Sequence, residues 1–99
     1  MIKHIVIWRL NDREDRDRQA TARAIAQKIE LMRGRIPGLR HIEGGVDFSK
    51  TADSCDVVLY AELDSREALE GYHAHPVHEE FKTFIGPRCK ERYLIDYEA

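Results

Sequence analysis

Residues 55–85 read CDVVLYAELDSREALEGYHAHPVHEEFKTFI. The opening of this stretch alternates. Cys55, Val57, Leu59, Ala61 and Leu63 fall on one apolar face of a strand, and Asp56, Val58, Tyr60 and Glu62 on a mixed one. The first set is expected to face a helix layer. Asp64-Ser65 then turns the chain. Ser65 suits a helix N-cap, and Glu67 places an acid in the first turn. Ala68, Leu69 and Tyr72 line the inner side of a short helix. His75 ends it, because a residue before proline avoids helical dihedrals. Pro76 suits the first position of a second helix over 76–85, closed by Gly86-Pro87.

Upstream, residues 2–10, IKHIVIWRL, read as a strand with both faces partly apolar. Ile2, His4, Val6, Trp8 and Leu10 share one face, and Lys3, Ile5, Ile7 and Arg9 the other. A strand apolar on both sides is covered on both sides. The charged run 11–19, NDREDRDRQ, reads as a solvated turn leading into a helix. Ala22, Ile25, Ile29, Met32 and Ile36 then recur at steps of three and four. They form one apolar stripe on a helix from about 14 to 35, ended by Pro37 and Gly38. Residues 39–48, LRHIEGGVDF, read as a strand in which Gly44-Gly45 suggests a bulge or bend. Downstream, residues 88–97, RCKERYLIDY, form a last strand.

The order β-α-β-β-α(α)-β defines the α+β class, a ferredoxin-like sandwich with one sheet and helices on one face. The opposite sheet face carries Ile5, Ile7, Val58 and Tyr60, too apolar to leave in water. A second copy of the chain, sheet against sheet, is its expected cover. The 99 residues suit a single domain, 1–99. A net charge of −2 argues against a general polyanion binder. Cys55 and Cys89 have no CxxC spacing and read as reduced, mostly buried thiols. The short apolar core of MIKHIVIWRL suits neither a signal segment nor a membrane span. A cytoplasmic protein is expected, with no nucleic-acid or membrane partner.

The KHIVIW opening, the segment DVVLYAELDSREALEGYHAHPVH and the closing YLIDY resemble the stress-responsive A/B barrel family over nearly the whole chain. That resemblance implies a ferredoxin-like unit whose sheet packs on a partner's to form a dimeric α+β barrel. The most specific piece is Tyr72-x-x-His75-Pro76-x-His78, where the chain is similar to olivetolic acid cyclase-like proteins. Such a cyclase closes a polyketide by aldol chemistry. By the resemblance, a tyrosine and a histidine at the positions of Tyr72 and His78 do this work, with a first-strand histidine at His4. The resemblance also implies a histidine on the third strand, and that position holds Val57 here.

Three histidines, His73, His75 and His78, fall within six positions around Pro76. A metal site would need them to converge. An HxH pair shares a face on a strand, but this one straddles a helix end, so no metal is expected. His75 reads as a cap residue with a possible ligand contact. His78 lies on the inward side of its helix, with Phe81 at i+3 and Ile85 at i+7. Burial and the positive end of the helix dipole both favour its neutral form, the form that accepts a proton. A core histidine bonded to a backbone carbonyl is the alternative. Tyr72 and His4 carry the same pair of readings, packed core or acid/base group. Under the family reading, His4, Tyr72 and His78 surround a pocket lined by Trp8, Val57, Leu59, His75, Phe81 and Ile85, suited to an apolar or aromatic ligand. Arg88, Lys90 and Arg92 on the last strand read as an edge guarded by charge, or as an anion contact.

Three functions stay open. One is cofactor-free acid/base catalysis, cyclase- or isomerase-like, on a small carbonyl compound. The second is a small-molecule binding module, and the third a stress-protective structural dimer.

Overall fold

The structure is a computed structural model that describes residues 1–11 and 17–99, together with the helical backbone of 15 and 16. Most of the charged run ahead of the first helix lies outside the described residues. The elements are β1 (Ile2–Leu10), α1 (Asp15–Glu30), β2 (Leu39–Val46), β3 (Val57–Leu63), α2 (Arg66–Ala74), α3 (Pro76–Ile85) and β4 (Cys89–Glu98), with a single 3₁₀ turn at Gly86–Arg88. The four strands pair antiparallel in the order β2-β3-β1-β4. This is the expected ferredoxin-like α+β arrangement, with the helices on one face.

The burial of β1 alternates without a break. Ile2, His4, Val6, Trp8 and Leu10 are buried under the helix side, and Lys3, Ile5, Ile7 and Arg9 are half-buried on the other. The α1 stripe packs as its spacing requires. Ala22, Ile25, Ile29, Met32 and Ile36 are all buried, and an isoleucine so buried contributes about 2–3 kcal/mol. The α-helix itself closes earlier than expected, at Glu30. Met32, Arg33 and Arg35 donate to carbonyls three residues back, at 3.1, 3.1 and 3.2 Å. These tighter turns swing Met32 and Ile36 onto the core before Gly38, at φ 81°, turns the chain into β2.

Gly44 and Gly45 introduce no bulge. They pair in register with Leu59 and Val58, and the irregularity in β2 falls between Leu39 and His41 instead. The reason for Gly44 lies in the layer above. A Cβ there would stand 2.8 Å from the Ala26 carbonyl oxygen and 2.9 Å from the Ala26 Cα. Glycine lets α1 settle directly on β2, and the Gly44 N–H donates to the Glu30 carboxylate at 2.9 Å. Those neighbours are backbone and cannot swing aside. Gly44→Ala is therefore expected to destabilise the chain by about 2 kcal/mol in urea unfolding. A change under about 0.5 kcal/mol would show that the helix is free to ride up.

α1 packs on β2 and β3, while no helix packs closely along β4. β4 is an edge strand. Arg92, Leu94, Asp96 and Glu98 point to its helix side, opposite Trp8, Val6, His4 and Ile2. Tyr93, Ile95 and Tyr97 point to the other face and stay about half exposed. Both cysteines are free and half-buried, less enclosed than expected. Among the described residues, no helix is long and apolar enough to cross a membrane.

Candidate functional site

The junction of α2 and α3 sets the site. His75 is at once the C-cap of α2 and the N-cap of α3. Its backbone N–H donates to the Tyr72 carbonyl at 3.2 Å, and its Nδ1 accepts from the Val77 N–H at 3.1 Å. The chain changes direction there. Tyr72, from the end of α2, meets His78, from the start of α3, with ring centroids 4.5 Å apart. The Tyr72 ring is also edge-on to His4 of β1, at 5.5 Å. His73 sits among the three, 5.3 Å from His4, 5.4 Å from Tyr72 and 5.3 Å from His78. The imidazoles meet edge to face, and among the described residues no group of metal-ligating side chains converges on one point.

These rings wall a cavity of about 430 Å³ between sheet and helices. Val6, Trp8 and Leu59 give it an apolar sheet side, and Phe81 and Ile85 a matching helix side. Phe81 stands edge-on to Trp8 at 5.7 Å. Of the residues expected to touch a ligand, Trp8, Leu59, Phe81 and Ile85 line this cavity, and Val57 and His75 do not. Val57 is buried between Trp8 and Val46 at the end of β3. The His75 ring is taken up by its cap. His73, Lys82, Cys89 and Arg92 also line the wall; sequence spacing did not mark the first three as ligand contacts, and it marked Arg92 as edge charge or an anion contact without placing it at this cavity. A second cavity, about 290 Å³, lies beside the 47–56 loop. Its Arg9 and Arg18 already face Glu91 and Asp56, at 2.9 and 3.5 Å.

The protonation states follow from the contacts. The His78 Nδ1–H donates to the His73 carbonyl at 3.2 Å. The lone pair is therefore on Nε2, which has no partner among the described residues. Burial above all holds the His78 pKa down to about 4, with the charges of His73 and Lys82 acting the same way against that hydrogen bond. Burial likewise lowers His73, with His4 adding to it. Tyr72 moves the other way. Burial pushes its phenol well above the ordinary tyrosine range, against a pull from the Arg92 charge, with the Asp96 charge adding the smallest push upward. It keeps its proton, yet its buried hydroxyl has no hydrogen-bond partner among the described residues. An orphaned hydroxyl of this kind costs about 1–3 kcal/mol. His4 is held by Asp96, whose carboxylate accepts from Nδ1–H. That contact depends on the β1–β4 register, which sequence reading did not supply. The site thus presents a phenol that can donate, a neutral imidazole that can accept, and a histidine oriented by a carboxylate.

The fold and this site define a ferredoxin-like α+β domain with a polar-aromatic cavity between sheet and helices. The sequence matches the family described as the stress responsive A/B barrel domain over residues 2–99, and the chain belongs to that family. A Streptomyces coelicolor protein described as uncharacterised is 28% identical, with 99% of each chain covered. A dimeric Bacteroides fragilis protein of unknown function and ferredoxin-like fold has a TM-score of 0.88 at 25% identity, covering 99% of this chain and 95% of its own. A dimeric ferredoxin-like protein of unknown function from Thermobifida fusca has a TM-score of 0.80 at 26% identity, covering 99% and 90%.

Proposed function

We propose that this chain forms a homodimer through its sheet faces and binds a small, largely apolar or aromatic carbonyl compound in the cavity beside Tyr72. Tyr72 donates to the carbonyl oxygen, and His78 Nε2 removes a proton from the adjacent carbon. His4, fixed by Asp96, supports the developing enol. No cofactor enters this chemistry. The observation that carries the reading is the unpartnered Tyr72 hydroxyl in ring contact with a neutral His78 whose Nε2 is free. A ligand's carbonyl oxygen would accept from the one, and its adjacent carbon would give a proton to the other. The homodimer is supported by the dimeric relatives and by the half-exposed apolar face of β4.

One observation favours a second reading, binding without turnover. A base held near 4 is weaker than the ideal for work at neutral pH. The two readings separate in heavy water. With 1-phenylpropan-2-one as probe, catalysis predicts accelerated loss of the methylene proton signal by NMR. Tyr72→Phe should stop it while unfolding no more easily than the native chain, because the orphaned hydroxyl worth about 1 kcal/mol is gone. Probe binding without exchange would leave a binding module. Neither binding nor exchange would leave packed histidines in a structural dimer.

A further inference from the structure

The cations of the chain differ in how they are held. Arg9, Arg33, Arg40 and Arg66 each face a carboxylate. Lys82, on the cavity wall, lies 3.6 Å from Glu79. Arg92 also lines the cavity, yet it faces no carboxylate and makes no hydrogen bond among the described residues. Arg23 and Arg35 are equally unpaired and, like Arg92, exposed, but neither lines this cavity. The acid nearest Arg92 on the helix side of β4 is Asp96, and that is engaged by His4.

The position of Arg92 is informative. It lies opposite Trp8, and Asp96 opposite His4, so four residues of strand separate Arg92 from the His4 end. That is roughly 13 Å of backbone. Arginine's own reach takes up about half of this span, leaving about the length of a substituted aromatic ring. The field of Arg92 is already felt at the reacting end, where it acts on both Tyr72 and His73.

From this geometry we propose, resting on the function above, that the natural ligand is an acid: a carbonyl compound whose carboxylate pairs with Arg92 while its carbonyl end lies between Tyr72 and His78. Arg92 then selects and orients the ligand by a forked, charge-assisted contact across the ring from the acid/base pair. A carboxylate paired with Arg92 also offsets the charge of Arg92 that is felt at His73.

The test uses two probes of matched shape, 3-phenylpropanoate and 3-phenylpropanamide, with binding to the native chain and to Arg92→Gln followed by calorimetry and histidine NMR. The expected result is a preference for the acid of about tenfold in the native chain, lost in Arg92→Gln and partly kept in Arg92→Lys. The acid, but not the amide, should raise the titration midpoint of His73, on which the charge of Arg92 acts. If the two probes bind the native chain equally, or if Arg92→Gln keeps the preference, the Arg92 assignment falls and the pocket stands. If neither probe binds or shifts the cavity histidines, both this inference and the ligand-binding reading fall.

Discussion

The native chain is expected to scatter light as a dimer at micromolar concentration, and replacing Ile5 and Ile95 together with glutamate is expected to leave a monomer. The two residues pair directly across β1 and β4, and Ile5 also faces Tyr60 on β3. Ile7 extends the row between Val58 and Tyr93. In the single chain Ile95 is 58% and Tyr93 50% exposed, on the edge strand beside half-buried Ile5 and Ile7 of β1. A two-fold arrangement of such faces would seat four glutamates in one apolar contact. An unpaired charge buried there costs several kcal/mol, so the dissociation constant should rise at least a thousandfold, equivalent to about 4 kcal/mol. The fold should survive, because none of the helix-side core is touched. A native chain that is already monomeric, or a double variant that stays dimeric, would place the interface elsewhere or remove it.

His78→Gln should have the second large effect, in two measurements. Exchange of the probe methylene protons should fall by about 10²–10⁴, the usual contribution of a positioned acid/base group. Stability should respond to pH. The unfolded chain takes up a proton on His78 below its ordinary value of 6.5, but the folded chain does so only near 4. Between those values the unfolded state binds more protons, so native stability is present above 6.5 and is lost as the pH falls through this window. At pH 5 the loss should be about 1 kcal/mol, since solvent in the cavity screens the group. The Gln variant has nothing to titrate there, and its urea midpoints at pH 7.5 and 5 should lie closer together. Equal pH slopes in the two proteins would mean that His78 is not held neutral by burial.

The elements were legible because each carries its own period or cap. The twofold alternation of 55–63, the Ser65 cap and Pro76 place β3, α2 and α3 without any tertiary information, and the inward side of His78 follows from Phe81 and Ile85. Asp96 and Arg92 were not legible as partners of the site. Their neighbours His4 and Trp8 lie almost the full chain length away, joined only by the β1–β4 register. His73 lies next to Tyr72 on the same helix. It joins the cluster because the bend at His75 brings α3 back over the end of α2, a three-dimensional event that helical spacing does not encode. Gly44 misled for a related reason. A glycine in a strand marks either a backbone irregularity or a close approach from another layer, and only the position of Ala26 separates the two.

The tight seat of α1 over Gly44 has a counterpart on the other side of the sheet. α2 and α3 are propped off β1 by rings, Phe81 against Trp8 and Tyr72 against His4, and the helix layer stops short of β4. The cavity is therefore a seam in the roof, one strand wide. Its inner end is built from core residues that the fold itself requires, while its outer end is bordered by Arg92 on a strand that no helix covers closely. Reactivity and selectivity thus sit on opposite banks with different mutational freedom. A lineage could retune which molecules are admitted by changing the outer bank alone, leaving the proton-handling bank and the fold untouched.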